Sequence, residues 1–202
     1  GGEFDVYPTQ TVDAIASVSD GCTVLNACGQ AGSLFNINGG TVEVQGIEAA
    51  LDSVFNVGPG VLRMNFNAAH QSAEFTEVEP GIAGLPVLGS PVAQTPDWTW
   101  SANFNYRVPI GETLAFVNVV YTGQRGGGQD TVTATTPFIA LSDFDNVNLR
   151  FGAVFNRYTL ALFATNLTDQ EVPVLQLQQG TIPLVTRWSR PRTMGVNLSY
   201  RW

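Results

Sequence analysis

Apolar and polar residues alternate one by one along most of this chain. In DWTWSANFNYRV, Trp98, Trp100, Ala102, Phe104, Tyr106 and Val108 fall on one face, and Asp97, Thr99, Ser101, Asn103, Asn105 and Arg107 on the other. NVNLRFGAVF repeats the pattern, setting Val147, Leu149, Phe151, Ala153 and Phe155 against Asn146, Asn148, Arg150, Gly152 and Val154. VLRMNFNAAH does the same with Leu62, Met64, Phe66 and Ala68, and TMGVNLSYRW ends the chain with Met194, Val196, Leu198, Tyr200 and Trp202 on one parity. A period of two marks strands whose two faces meet different surroundings. No segment carries a helical stripe. The pattern predicts seven strands, near 41–54, 61–77, 97–108, 113–124, 146–155, 158–168 and 193–202.

The connections alternate in length. NVGPG, PIGE and Asn156-Arg157 are tight turns built from residues that favour turn conformations, whereas 78–96, 125–145 and 169–192 are long. Short and long links in alternation are the habit of outer-membrane barrels, with short periplasmic turns and long external loops. A soluble sandwich has no reason to gather all its long loops at one end. The reading is therefore all-β: an antiparallel segment of a transmembrane β-barrel with long external loops. Its parity puts the C-terminus in the periplasm, residues 1–40 mostly in an external loop, and 41–202 in the wall.

One strand breaks the rule. In TVEVQGIEAALDSVF, Val42 and Val44 share one parity while Ile47, Ala49 and Leu51 share the other. A one-residue bulge at Gly46 would bring both apolar sets to the lipid side and turn Glu43, Glu48 and Asp52 to the lumen.

Composition agrees. Charged residues make up 13% of the chain, against about 25% in a typical soluble domain. The nine basic residues are all arginine, and the formal net charge is −8. Without basic blocks the chain is a poor partner for nucleic acid, whose binding rests on clustered cations. No apolar run approaches the roughly 20 residues of a membrane helix. The chain opens on GGEFDVYP rather than on Met, so its true start is expected upstream. A single histidine, His70, leaves no nucleophile–base pair and no metal-ligand set; neither a catalytic site nor a cofactor is expected. His70 itself reads as a polar lumen residue. Cys22 and Cys28, five residues apart in DGCTVLNACG, suit a small disulfide loop in an oxidising compartment, with free thiols as the plainer alternative.

Three stretches carry a family resemblance: NINGGTVEVQGIEAAL, LALFATNLTDQEV and RPRTMGVNLSYRW, which together span about Asn36 to Trp202. In their order and spacing the chain resembles the C-terminal part of a TonB-dependent outer-membrane receptor. The resemblance implies the last seven strands of a barrel of about 22, its lumen filled by an N-terminal plug. The plug, absent from this chain, would lie in the same polypeptide or in a second one. It further implies uptake of a scarce nutrient, such as an iron–siderophore complex, cobalamin or a carbohydrate, driven by the inner-membrane proton gradient through TonB acting on the plug. The terminal strand Met194, Val196, Leu198, Tyr200 and Trp202 is then what the barrel-assembly machinery recognises, with Trp202 in the interfacial aromatic girdle.

In that frame Glu48, within Gly46-Ile47-Glu48, resembles the family's barrel glutamates that meet plug arginines; a solvated lumen carboxylate is the alternative. Arg63, Arg107, Arg150 and Arg201 share the polar parity and are candidates for plug contact or for pairing with acids on neighbouring strands. Arg187, Arg190 and Arg192 in TRWSRPR are candidates for an external anion or for lipopolysaccharide, or form a solvated loop. Asn166-Leu167-Thr168 reads as strand-end hydrogen bonding, and GQRGGGQD, with no helix after it, as a loop rather than a phosphate cradle. Two rival functions share the alternation: a passive porin and a structural or adhesive outer-membrane β-protein. A plug upstream of Gly1 separates the first reading from both.

Overall fold

A computed structural model of the chain describes residues 1–19, 34–78, 85–129, 132–133, 137–179 and 182–202. Alternation becomes strand nearly everywhere it occurs. The elements are β1 (Gly2–Ser19), β2 (Leu34–Val57), β3 (Gly60–Val78), β4 (Trp98–Ile110), β5 (Thr113–Arg125), β6 (Phe144–Phe155), β7 (Tyr158–Thr165), β8 (Pro173–Gln179), β9 (Ile182–Trp188) and β10 (Thr193–Tyr200). Eight of them form one antiparallel sheet in the order β1-β2-β3-β4-β5-β6-β7-β10, and β8 and β9 pair separately as a hairpin. The sheet is an open meander, with β1 and β10 at its edges.

The tight turns lie together at one end. Val57 pairs with Gly60, Ile110 with Thr113 and Phe155 with Tyr158, each across two residues. Each turn starts left-handed, at Gly58 (φ 58°), Gly111 (φ 60°) and Asn156 (φ 51°). Glycine takes that conformation without a Cβ clash, and asparagine tolerates it better than most residues. At the opposite, loop end the strands run on to different heights. Where β4 begins, residues 85–97 take its place beside β3, with Val92 N–H donating to the Ala73 carbonyl (3.0 Å) and Phe75 N–H to that of Ser90 (3.1 Å).

The register sorts the side chains. Met64, Phe104, Val119, Leu149, Ala164 and Met194 lie side by side in one row across six strands. Arg63, Asn105, Asn118, Arg150, Phe163 and Gly195 form the neighbouring row on the other face. The apolar face is uncovered: Val196 is 65% exposed, Leu198 67% and Leu51 51%. No large side chain among the described residues is fully buried. A continuous apolar face of this extent needs an apolar neighbour.

Four sequence expectations change. Residues 2–19 are a strand paired along β2, not external loop. Their alternation is interrupted because β1 carries an extra residue, at Pro8–Thr9, where its pairing steps from Tyr7↔Gly46 to Gln10↔Val44. The irregularity expected at Gly46 therefore belongs to the neighbouring strand. The β2–β3 register runs unbroken through Gly46, from Val44↔Ala73 to Ile47↔His70. Consequently Val42 and Val44 share the face of Glu48 and Asp52, while Glu43 lies on the face of Ile47. The long link 169–192 contains a hairpin of its own, and with β1 the sheet has eight strands among the described residues, where the alternation predicted seven. His70 also moves: it lies on the apolar face, opposite Trp98, and not on the polar one.

Candidate functional site

The polar face of β1–β3 carries a carboxylate group. Asp5 stands directly opposite Glu48, and Glu3 opposite Ala50, so that Glu3, Asp5 and Glu48 share one face. They rim a groove of about 410 Å³ floored by Asn67, Thr99 and Ser101. Nearby, Asp52 accepts a short hydrogen bond from the Asn65 amide. Like charges directly opposite on adjacent strands repel, so this face favours a cation.

The arginines on the same face lie toward the turn end. Arg107 Nε donates to Asn105 Oδ1 (3.1 Å), and the Arg150 guanidinium lies 5.6 Å from the Phe116 ring centroid. Among the described residues the ion pairs are Arg125 with Asp143 and Asp145, and Arg192 with Asp169. Arg63, Arg107, Arg150 and Arg201 are in none of them. Pairing with acids on neighbouring strands, one of the two sequence readings, is thus not what these arginines do among the described residues. Arg201 lies just past β10, its N–H donating to the Arg157 carbonyl (2.8 Å).

Aromatic residues cluster at both ends of the apolar face. At the turn end, the Phe155, Tyr158, Tyr200 and Trp202 rings follow one another with centroids 5.7, 5.0 and 6.2 Å apart. At the loop end, His70 stacks on Trp98 (4.3 Å) and Arg125 lies 5.0 Å from the Trp100 ring. Arg125 Nη2 also reaches Asp145 Oδ2 (2.5 Å), whose other oxygen accepts the Tyr121 hydroxyl (2.6 Å). Sequence reasoning missed this network. Its only signal is an arginine on apolar parity at a strand end, and its carboxylate partner lies 20 residues away.

The loop end of β6–β7 is fastened through Asn166, buried and left-handed (φ 49°). Its Nδ2 donates to the carbonyls of Gln170 (3.0 Å) and Arg190 (2.9 Å), and its Oδ1 accepts the Gln170 N–H (3.1 Å). This is the strand-end role expected of Asn166. Asp169 then takes both the backbone N–H (2.9 Å) and the guanidinium (3.3 Å) of Arg192. Of the TRWSRPR arginines, Arg192 is therefore spent in a salt bridge, while Arg187 and Arg190 line a cleft beside Trp188. Cys22 and Cys28 lie outside the described residues. No group of three or more His, Cys, Asp or Glu residues is placed to hold a metal among the described residues.

An antiparallel sheet that is apolar and uncovered on one face, polar on the other, and belted by aromatics at both ends is the wall of a transmembrane β-barrel. Residues 2–167 match the family model described as TonB dependent receptor-like, beta-barrel, and the chain belongs to that family. No curated protein and no solved structure matches it. Membership places the chain in the bacterial outer membrane, within a TonB-dependent transporter whose barrel works with a plug domain and with TonB. The family is one of transporters rather than enzymes.

Proposed function

We propose that this chain is the closing wall of a plugged barrel that takes up a scarce nutrient, an iron–siderophore complex, cobalamin or a carbohydrate, and that the polar face of β1–β3 grips the plug. The observation that carries the reading is Asp5 facing Glu48 across two strands, with Glu3 on the same face. Three carboxylates around one groove of about 410 Å³ call for a cationic surface against them, and plug arginines supply it. Arg63, Arg107 and Arg150, without carboxylate partners among the described residues, are matched in turn to plug acids, with Arg201 at the rim of the wall. The open edges of β1 and β10 cannot stand bare in lipid, since each unpaired backbone group there costs several kcal/mol. Further strands therefore complete the barrel to about 22. The turn end lies in the periplasm, and Met194, Val196, Leu198, Tyr200 and Trp202 are the signal read by the barrel-assembly machinery.

The test is Glu48→Gln in the complete receptor. Removing one member of a buried ion pair typically costs about 3–5 kcal/mol, because the other charge is left uncompensated. The variant should assemble normally yet leak small antibiotics, with TonB-driven uptake reduced; Glu48→Asp, which keeps the charge, should do less. Unchanged leak and unchanged uptake in Glu48→Gln would remove the coupling role. Uptake that survives collapse of the proton gradient would instead favour a passive porin.

A further inference from the structure

We propose that the cleft between the loop ends of β6–β7 and the β8–β9 hairpin binds a small molecule carrying a carboxylate or phosphate next to a planar apolar group. The cleft measures about 420 Å³ and is lined by Arg187, Trp188 and Arg190 together with Asn146, Thr165 and Gln170. That volume lies within the range of small-ligand sites, about 300–1,000 Å³.

The charges around it are unevenly satisfied. Asp145, which also lines the cleft, already holds Arg125 and the Tyr121 hydroxyl, and Asp169 already holds Arg192. Arg187 and Arg190 have no carboxylate within 4.0 Å among the described residues, in a chain whose formal net charge is −8. A guanidinium offers a planar fork of donors that matches a carboxylate or phosphate in two parallel hydrogen bonds. Trp188, 58% exposed, lines the same cleft as the two arginines. The side-chain Oδ1 of Asn146 is buried without a hydrogen-bond partner among the described residues, an acceptor available to a ligand donor.

The site is held in shape before any ligand arrives. Ser189 N–H donates to the Val172 carbonyl (2.8 Å), its hydroxyl to that of Gln170 (3.0 Å), and the Arg190 carbonyl is fixed by Asn166 (2.9 Å). Asn146 and Thr165 share the polar face with Asn148 and Arg150, while Asp145, of the opposite parity, also lines the cleft. The planar indole of Trp188 beside the arginines favours a dissolved aromatic anion over a phosphate of lipopolysaccharide. As a place of substrate capture the site rests on the transport reading above; as a binding site it is measurable without it.

The complete receptor, purified in detergent, is titrated calorimetrically with benzoate and with neutral benzamide. Benzoate should bind at least about tenfold more tightly than benzamide, and Arg187→Gln and Arg190→Gln should each weaken it about tenfold. Trp188→Ala should weaken both probes, and Arg157→Gln, in a turn at the far end of the sheet, neither. Equal binding of the two probes, or unchanged benzoate affinity in the Arg187→Gln/Arg190→Gln double variant, overturns the proposal. Loss of co-purifying lipopolysaccharide from the double variant with benzoate binding intact overturns it in favour of a lipid contact. If benzoate binding follows the proposal while no uptake depends on the proton gradient, the site stands and the transport reading fails.

Discussion

Replacing Phe104 by arginine puts the largest strain on the claim that the apolar face meets lipid. Phe104 lies midway along β4, a strand of 13 residues from Trp98 to Ile110. At about 3.3 Å per residue the strand is about 40 Å long, and tilted by about 45° it rises about 28 Å. That height matches an apolar band of about 25 Å flanked by aromatic girdles, with Phe104 near its midplane. An arginine at the midplane costs about 2–4 kcal/mol, and the lost transfer of the phenyl ring into lipid adds about 1.5–3 kcal/mol. The adjacent inward-facing change, Asn103→Arg, forfeits one hydrogen bond, accepted from Asn118 at 2.6 Å, or about 1 kcal/mol. Denaturant unfolding of the complete receptor in lipid vesicles, followed by heat-modifiable migration, measures both. Phe104→Arg should be the more destabilising by at least about 2 kcal/mol. Equal costs would refute the reasoning, because on a soluble surface both changes fall within about 0.5 kcal/mol of neutral or are set by local hydrogen bonds alone.

Two more expectations follow, one from the loop end and one from the spacing of the two cysteines. Asn166→Ala removes three hydrogen bonds to Gln170 and Arg190 from a buried site; at about 1 kcal/mol each, the β8–β9 hairpin should be cut markedly faster in limited proteolysis, and a wild-type rate would contradict the anchoring role. Cys22 and Cys28 are expected to be bonded, a closure worth at most about 3 kcal/mol; alkylation of both thiols in unreduced protein, read by mass spectrometry, would show otherwise.

What the sequence disclosed depended on whether the pattern was local. The strand predicted from DWTWSANFNYRV appears as Trp98–Ile110 with its faces as expected, because unbroken alternation over that many residues leaves one register. The turns at Gly58, Gly111 and Asn156 were legible for the same reason: their conformation selects their residues. Gly2–Ser19 was not legible, because the run PTQT, at the step in register from Tyr7↔Gly46 to Gln10↔Val44, interrupts its alternation. The bulge expected at Gly46 is absent from β2, whose parity runs straight through that residue; the step in register lies on β1, and a single strand's pattern carries no record of its neighbour. Glu48 kept its predicted face despite the wrong reason, since it shares parity with Gly46 and Asp52. The Arg125–Asp145–Tyr121 network was hidden because only the register of β5 against β6 brings its members together.

The most direct measurement is a spin-label scan of β4, one cysteine-attached label at a time from Trp98 to Val108, in the complete receptor reconstituted into lipid. Oxygen concentrates in the hydrocarbon, so labels at 98, 100, 104, 106 and 108 should relax strongly with oxygen. Those at 99, 101, 103, 105 and 107 should not, giving an accessibility that alternates with every residue and is greatest near 104. A flat profile, or one with the aromatic positions shielded from oxygen, would mean that this face packs inside a protein core and that the sheet is not the wall of a membrane barrel.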